Sequence, residues 1–144
     1  MNNFEFLVVG SNGLLGSRVV SILKKKKLSF LTVARKNSNF NLNLRNYKKL
    51  NNFFLENKFK IVINCAAIID IKYCEENFNN SKIINCALVK FLSQMSKKFA
   101  FKFIQISTDH VYKGLKLALS KETDKIFAVN KYAKSKILAE KYLI

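Results

Sequence analysis

The stretch VVGSNGLLGSRVV at residues 8–20 constrains this chain more than any other, because it gathers Gly10, Gly13 and Gly16, three of the chain's four glycines, into seven positions. Glycine is placed where the backbone needs a torsion or a close approach that a β-carbon forbids. The apolar run Phe6-Leu7-Val8-Val9 precedes these glycines, and Leu14, Leu15, Val19, Val20, Ile22 and Leu23 follow at roughly helical spacing. The pattern predicts a strand, a tight turn and a helix. A helix amino terminus presents unpaired N–H groups and the positive end of the macrodipole, which together suit phosphate. The first glycine then allows the turn, the second the approach of a pyrophosphate, and the third close packing of helix on strand.

Composition narrows the setting of that turn. The chain of 144 residues, 49% hydrophobic, is read as one globular domain over residues 1–144 with enough length for a real core. No apolar run approaches the ~18–20 residues of a membrane span, and no signal-peptide pattern opens the chain, so the expectation is a cytoplasmic protein with no membrane partner. Cys65, Cys74 and Cys86 form no CxxC pair and leave an odd count, which suits reduced thiols; no metal site is expected. The net charge of +17 raises the question of nucleic acid. However, 23 lysines stand against three arginines, spread among 17 asparagines in a chain without proline or tryptophan. That is the residue bias of an AT-rich genome, and no specific nucleic-acid partner is expected. The one dense run, Lys24 to Lys27, closes the first helix, where cations complement the dipole.

Along the chain, strand and helix alternate. Strands are expected at 4–9, 29–34, near Phe40 to Leu44, at 60–64 and from Phe101 to Ser107; helices at 14–26, 46–57, 81–98 and from about 130 to the end, with a loop through Asp70 to Asn77. Alternation of this kind predicts an α/β fold, a parallel sheet covered on both faces and built by right-handed crossovers.

Three later stretches carry chemistry: NCAAIIDIKYCEEN at 64–77, ISTDHVY at 106–112 and YAKSK at 132–136. Tyr132 and Lys136 stand four apart on an expected helix and so share a face. A phenol titrates near ~10, and a neighbouring cation lowers that value toward the range useful for proton transfer. Thr108, at the end of a strand where open α/β sheets place their ligands, offers a hydroxyl to the same site.

These segments in this order resemble the extended short-chain dehydrogenase/reductase superfamily, and within it the dTDP-4-dehydrorhamnose reductase family, over essentially the whole chain. GSNGLLG at 10–16 is similar to the family's GxxGxxG turn, STDHVYKG at 107–114 to its STD-aromatic-V-aromatic-x-G signature, and VNKYAKSKILAE at 129–140 to its N-x-Y-G-x-S-K helix. The resemblance implies a Rossmann-type doubly wound parallel sheet with strand order 3-2-1-4-5, and Thr108, Tyr132 and Lys136 as the catalytic trio. It implies a cofactor path along Gly10, Asn12, Gly13, Leu14, Leu15 and Gly16, past Asn43 and Leu44 near the adenine, and along Ala66, Ala67 and Ile68 to Tyr132 and Lys136. The implied reaction passes a hydride from reduced nicotinamide to the keto carbon of a nucleotide-linked 4-keto sugar, for dTDP-rhamnose and cell-surface polysaccharide synthesis. Arg35 and Lys36 follow the second strand, where a basic residue accepts a ribose 2′-phosphate, so NADPH is favoured over NADH.

Departures from the pattern are His110 for the usual tyrosine, Asn43 for an acid, Ala133 for glycine, and Ile126 and Ala128 for proline. His110, the only histidine, is read as a replacement at an aromatic site and not as a base or ligand. The chain also stops eight residues beyond Lys136, whereas relatives carry a further half that supplies most of the sugar-nucleotide pocket. The expectation is therefore a truncated, amino-terminal half with an apolar sheet edge at Phe101 to Ser107. Such a chain is marginally stable, associates with itself, or is completed by a second polypeptide. Two alternatives stay open: a non-catalytic nucleotide-binding or regulatory remnant, and a nucleotide-sugar epimerase or dehydratase relative.

Overall fold

A computed structural model describes residues 2–112 and 119–143. Five parallel strands form one sheet: β1 (Asn2–Val9), β2 (Phe30–Ala34), β3 (Phe40–Asn41), β4 (Asn57–Asn64) and β5 (Lys102–Gln105), in the order β3-β2-β1-β4-β5. The expected 3-2-1-4-5 order is therefore found. The crossovers carry α1 (Leu14–Lys25), α2 (Tyr47–Glu56) and a longer helical segment described below, and α6 (Lys131–Glu140) closes the described chain.

Pleating sorts the side chains of β1. Leu7 and Val9 enter a core with Val33, Val62 and the α2 residues Leu50, Phe53 and Phe54, whereas Val8 points to the opposite face, where α1 packs. Phe54 stacks on Phe101 at 5.4 Å between ring centroids and meets Phe59 edge-on at 5.9 Å, so the carboxyl end of α2 is locked to the sheet by aromatic contacts.

Several boundaries differ from the sequence reading. The expected loop at Asp70 to Asn77 contains α3 (Ile71–Glu76), begun by Asp70, whose carboxylate accepts a hydrogen bond from Tyr73 N at 2.8 Å. The single helix expected at 81–98 starts earlier, as α4 (Phe78–Lys82), widens into a π-helical turn over Ile83–Ala87, and continues as α5 (Leu88–Phe99). A π turn admits one extra residue and redirects the side chains around it; here it turns Asn85 fully inward. β3 covers only Phe40–Asn41, and β5 stops at Gln105 where a strand to Ser107 is expected. Helix α6 ends at Glu140 instead of running to the chain end. Of the segment STDHVYKG, Lys113 and Gly114 lie outside the described residues, as does Ile144.

Candidate cofactor and catalytic site

The order of the sheet fixes where a site can form. From β1 the chain moves outward to β2 and β3, then crosses back to place β4 on the other side of β1, so the connections diverge at the carboxyl ends of β1 and β4. Such a switch point leaves a crevice. Gly10 sits in it, its N–H donating to Val33 O at 2.8 Å on the β2 side. On the β4 side, a β-carbon added at Gly10 would lie 2.6 Å from Ala66 N. Its φ of +78° is left-handed as well, so Gly10 is doubly restricted to glycine.

The other two glycines do different work. A β-carbon on Gly16 would fall 2.3 Å from Gly10 O, so Gly16 lets α1 close on the turn. Around Gly13 such an atom would meet only Gly10 O, at 3.5 Å. Nothing steric within the described fold demands glycine there, and the space lies directly before α1. Gly13 is the residue at the start of that helix, with no side-chain cap and no acidic residue in the first turn. The amino-terminal N–H groups of α1 thus face open space, with no carboxylate of the helix's own first turn competing for them. Leu14 is 87% exposed and Leu15 also lies open beside them.

The neighbouring loops frame this opening. The Asn12 amide donates to the carbonyl of Lys36, tying the turn to the segment after β2, and Arg35 and Lys36 are both exposed. No Asp or Glu occurs between Glu5 and Glu56. Asn43 is exposed, its side chain accepting from Arg45 N at 3.1 Å, whereas the Leu44 side chain is buried in the core. Ala66, Ala67 and Ile68 leave β4 half-buried. Two buried asparagines pin them: Asn64 accepts from Ala66 N at 3.1 Å, while Asn85 accepts from Ile68 N at 2.8 Å and donates to Ile68 O at 2.9 Å.

The proton-transfer candidates gather past the carboxyl end of β5. Asn130 caps α6, its Oδ1 accepting from Ala133 N at 2.7 Å. Tyr132 and Lys136 are buried on one face of that helix, one turn apart. Between them in sequence, Ser135 is held by Asn85 Nδ2 at 3.0 Å, which docks α6 on the π turn. Lys136 Nζ donates to Ile106 O at 2.5 Å, just past β5. Burial pushes the Lys136 ammonium below the ordinary lysine value, and the Glu140 carboxylate opposes that shift. Thr108 starts a 3₁₀ turn over Asp109–Val111, its hydroxyl accepting from His110 N at 3.2 Å. The His110 ring meets Tyr132 edge-on at 5.9 Å, so the turn carrying Thr108 packs against the helix carrying Tyr132. His110 Nδ1 also lies 3.4 Å from Asn130 Nδ2. This position keeps the aromatic packing expected of it.

The structure therefore brings the glycine turn, Ala66 to Ile68, Thr108, Tyr132 and Lys136 to one end of the sheet. The sequence reading missed Asn85 and Gln105 and gave no role to Asn64, Asn130 and Ser135, though all three lie in the motifs it quotes; these five hold the site residues. A polar residue in an apolar run, as at Asn64 after Ile61-Val62-Ile63 and at Asn85 after Ile83-Ile84, was the available signal.

A parallel sheet with a glycine-rich turn at its switch point and a Tyr-x-x-x-Lys helix at the same end defines a Rossmann-type domain of the short-chain dehydrogenase/reductase class. More narrowly, the chain belongs to the RmlD substrate binding domain family, whose model matches residues 4–144. It is 26% identical over 139 residues to the spore coat polysaccharide biosynthesis protein SpsK of Bacillus subtilis, covering 96% of this chain and 48% of that protein. A dTDP-4-dehydrorhamnose reductase of Aggregatibacter actinomycetemcomitans is 30% identical over 94 residues, covering 64% of this chain and 32% of that one. The crystal structure of a dTDP-4-dehydrorhamnose reductase from Clostridium acetobutylicum superposes with a TM-score of 0.87 at 30% identity, over 96% of this chain and 48% of that one. The resemblance drawn from the motifs is thus borne out. The chain spans about half the length of the curated relatives it matches.

Proposed function

We propose that this chain forms the nicotinamide-dinucleotide-binding and proton-donating half of a reductase acting on a nucleotide-linked 4-keto sugar, in the manner of dTDP-4-dehydrorhamnose reductase. The observation that carries this reading is the uncapped start of α1 at an open Gly13, at the same carboxyl end of the sheet as the buried Tyr132 and Lys136. The α1 N–H groups and Gly13 receive the pyrophosphate, and Ala66 to Ile68 line the path to Lys136. Arg35 and Lys36, with no carboxylate nearby in sequence to accept a ribose 2′-hydroxyl, favour NADPH over NADH.

When bound, the reduced nicotinamide supplies the hydride for the keto carbon. Tyr132 donates the proton to the carbonyl oxygen, and Thr108 holds that oxygen by a hydrogen bond. Lys136, a cation one turn along the same face, stabilises the charge left on the phenol and holds the cofactor ribose. The sugar nucleotide is gripped mainly by further polypeptide. β5 pairs only with β4 among the described residues, and its free edge supports completion of the sheet by a second chain or by self-association. Cys65, Cys74 and Cys86 are all free thiols, which favours a reducing compartment and a cytoplasmic site of action.

The test is keto-sugar-dependent oxidation of NADPH, followed by loss of the reduced nicotinamide signal. Turnover is expected with a dTDP-linked 4-keto sugar once the sheet is completed, and Tyr132→Phe lowers it by about 10²–10⁴-fold. Turnover unaffected by Tyr132→Phe contradicts the assignment. Sedimentation of the chain alone tests the edge, where association is expected and a monomer at every concentration argues against it. Substituting Arg35 and Lys36 by alanine should narrow the preference for NADPH over NADH.

A further inference from the structure

The ammonium of Lys136 is seated by a carbonyl that is itself held by side chains. Ile106 O accepts from Lys136 Nζ at 2.5 Å and from Gln105 Nε2 at 2.7 Å, which uses both of its lone pairs. Gln105 Oε1 accepts from Asn64 Nδ2 at 2.8 Å, and Asn64 Oδ1 accepts from Ala66 N at 3.1 Å. The direction of this chain is forced. Asn64 Oδ1 faces an N–H donor, so its amide nitrogen donates to Gln105, whose own nitrogen must then donate to Ile106 O. Every member is paired, and Asn64 is fully buried.

A regular sheet does not hold that carbonyl. β5 ends at Gln105, and the nearest backbone bond, from Ile106 N to Asn64 O, is long at 3.4 Å. The Gln105 side chain takes over where the ladder lapses. At the other end of the relay, Ala66 is the residue against which Gly10 packs.

We propose that Gln105, backed by Asn64, is a positioning residue that fixes the Ile106 carbonyl in the orientation seating the Lys136 ammonium. The relay ties that ammonium through Ala66 to the glycine turn, so the two ends of the site share one hydrogen-bonded brace. Lys136 keeps its remaining N–H bonds for a ligand. The brace stands on geometry alone; its effect on dinucleotide affinity rests on the proposed function.

The first test needs no ligand. In ¹⁵N–¹H spectra of the lysine ammonium groups at low temperature, the wild-type chain should show a slowly exchanging signal that is missing in Lys136→Met. Gln105→Met removes the amide at similar volume, and Gln105→Glu keeps an acceptor for Asn64 but loses the donor to Ile106 O. Both should broaden that signal, with exchange faster by about fivefold, the effect of one net hydrogen bond. Should Gln105→Met fail to fold, Gln105→Glu carries the test. An unchanged signal in a folded Gln105 variant overturns the proposal.

The second test is a cycle in NADPH affinity. Gln105→Met should weaken binding by about fivefold in the presence of Lys136 and have no effect in its absence. Losses that simply multiply assign Gln105 a role independent of Lys136 and also overturn the proposal. If Lys136→Met leaves affinity unchanged, the role of Lys136 toward the cofactor fails, while the ammonium signal still decides the positioning claim.

Discussion

The two ends of the site are made rigid in opposite ways. At the glycine turn, order comes from leaving side chains out: Gly10 and Gly16 bring backbone to within distances that a β-carbon would fill, and Gly13 leaves open space before α1. Near Lys136, order comes from side chains put in. Asn64, Asn85, Gln105 and Ser135 are polar groups in or beside the core, each with hydrogen-bond partners. A backbone-built seat needs little beyond local geometry to bind an anion. The seat built from side chains works only while its network is complete, because a half-satisfied buried network costs more than an apolar one.

The largest expected effect falls on the first of these seats. Gly10→Ala combines a left-handed φ with a clash against the Ala66 backbone, and should cost about 3 kcal/mol or more in denaturant unfolding. A loss below about 1 kcal/mol would mean that the turn yields, and the contrast between the two ends would weaken. Asn85→Ala comes next. It strips partners from both backbone groups of Ile68 and from Ser135, and should cost about 2–3 kcal/mol. A cost as small as that of a surface asparagine would show that water replaces the network.

The smallest effect is a dependence on pH. Burial lowers the Lys136 ammonium below its ordinary value, near ~10.4 in an unfolded chain. Between the lowered folded value and ~10.4 the unfolded state binds more protons, so the stability contribution of this residue rises with pH across that window. Below the window both states are protonated and the penalty for burying the charge is complete; above it both are neutral and the penalty is gone. The wild type should therefore gain stability relative to Lys136→Met as pH is raised from neutral through that range, measured by denaturant midpoints. A difference that stays flat or falls contradicts the cause given for the shift.

The same contrast explains what could be seen in the sequence. Glycine spacing and apolar runs are local signals, and they led to the turn and to the alternation of strand and helix directly. Helix α3 was hidden in an expected loop because its six residues are too few to show an apolar period, although Asp70 stood at its start as a cap. The π turn at Ile83–Ala87 leaves no periodic trace either, since it shifts the helix by one residue to bury Asn85. Gln105 and Asn64 stand 41 positions apart, and only the pairing of β4 with β5 brings them together. Leu44 is placed along the cofactor path by family likeness alone; its side chain lies in the core beneath α2.

The most direct measurement uses Gly13, the glycine of the turn that the described fold does not itself need. Gly13 has ordinary extended torsions (φ −71°, ψ 168°) at the start of α1, where an aspartate is favoured both as a cap and by the helix dipole. Gly13→Asp should therefore hold or raise stability, by about 0.5 kcal/mol, while its carboxylate fills the space proposed for the pyrophosphate. Titrating NADPH into the wild type and this variant, with unfolding curves on the same samples, separates fold from site. The account predicts binding by the wild type and a loss of about 100-fold or more in an equally stable Gly13→Asp, roughly 3 kcal/mol of anion contact. Equal affinity in the two proteins would contradict it.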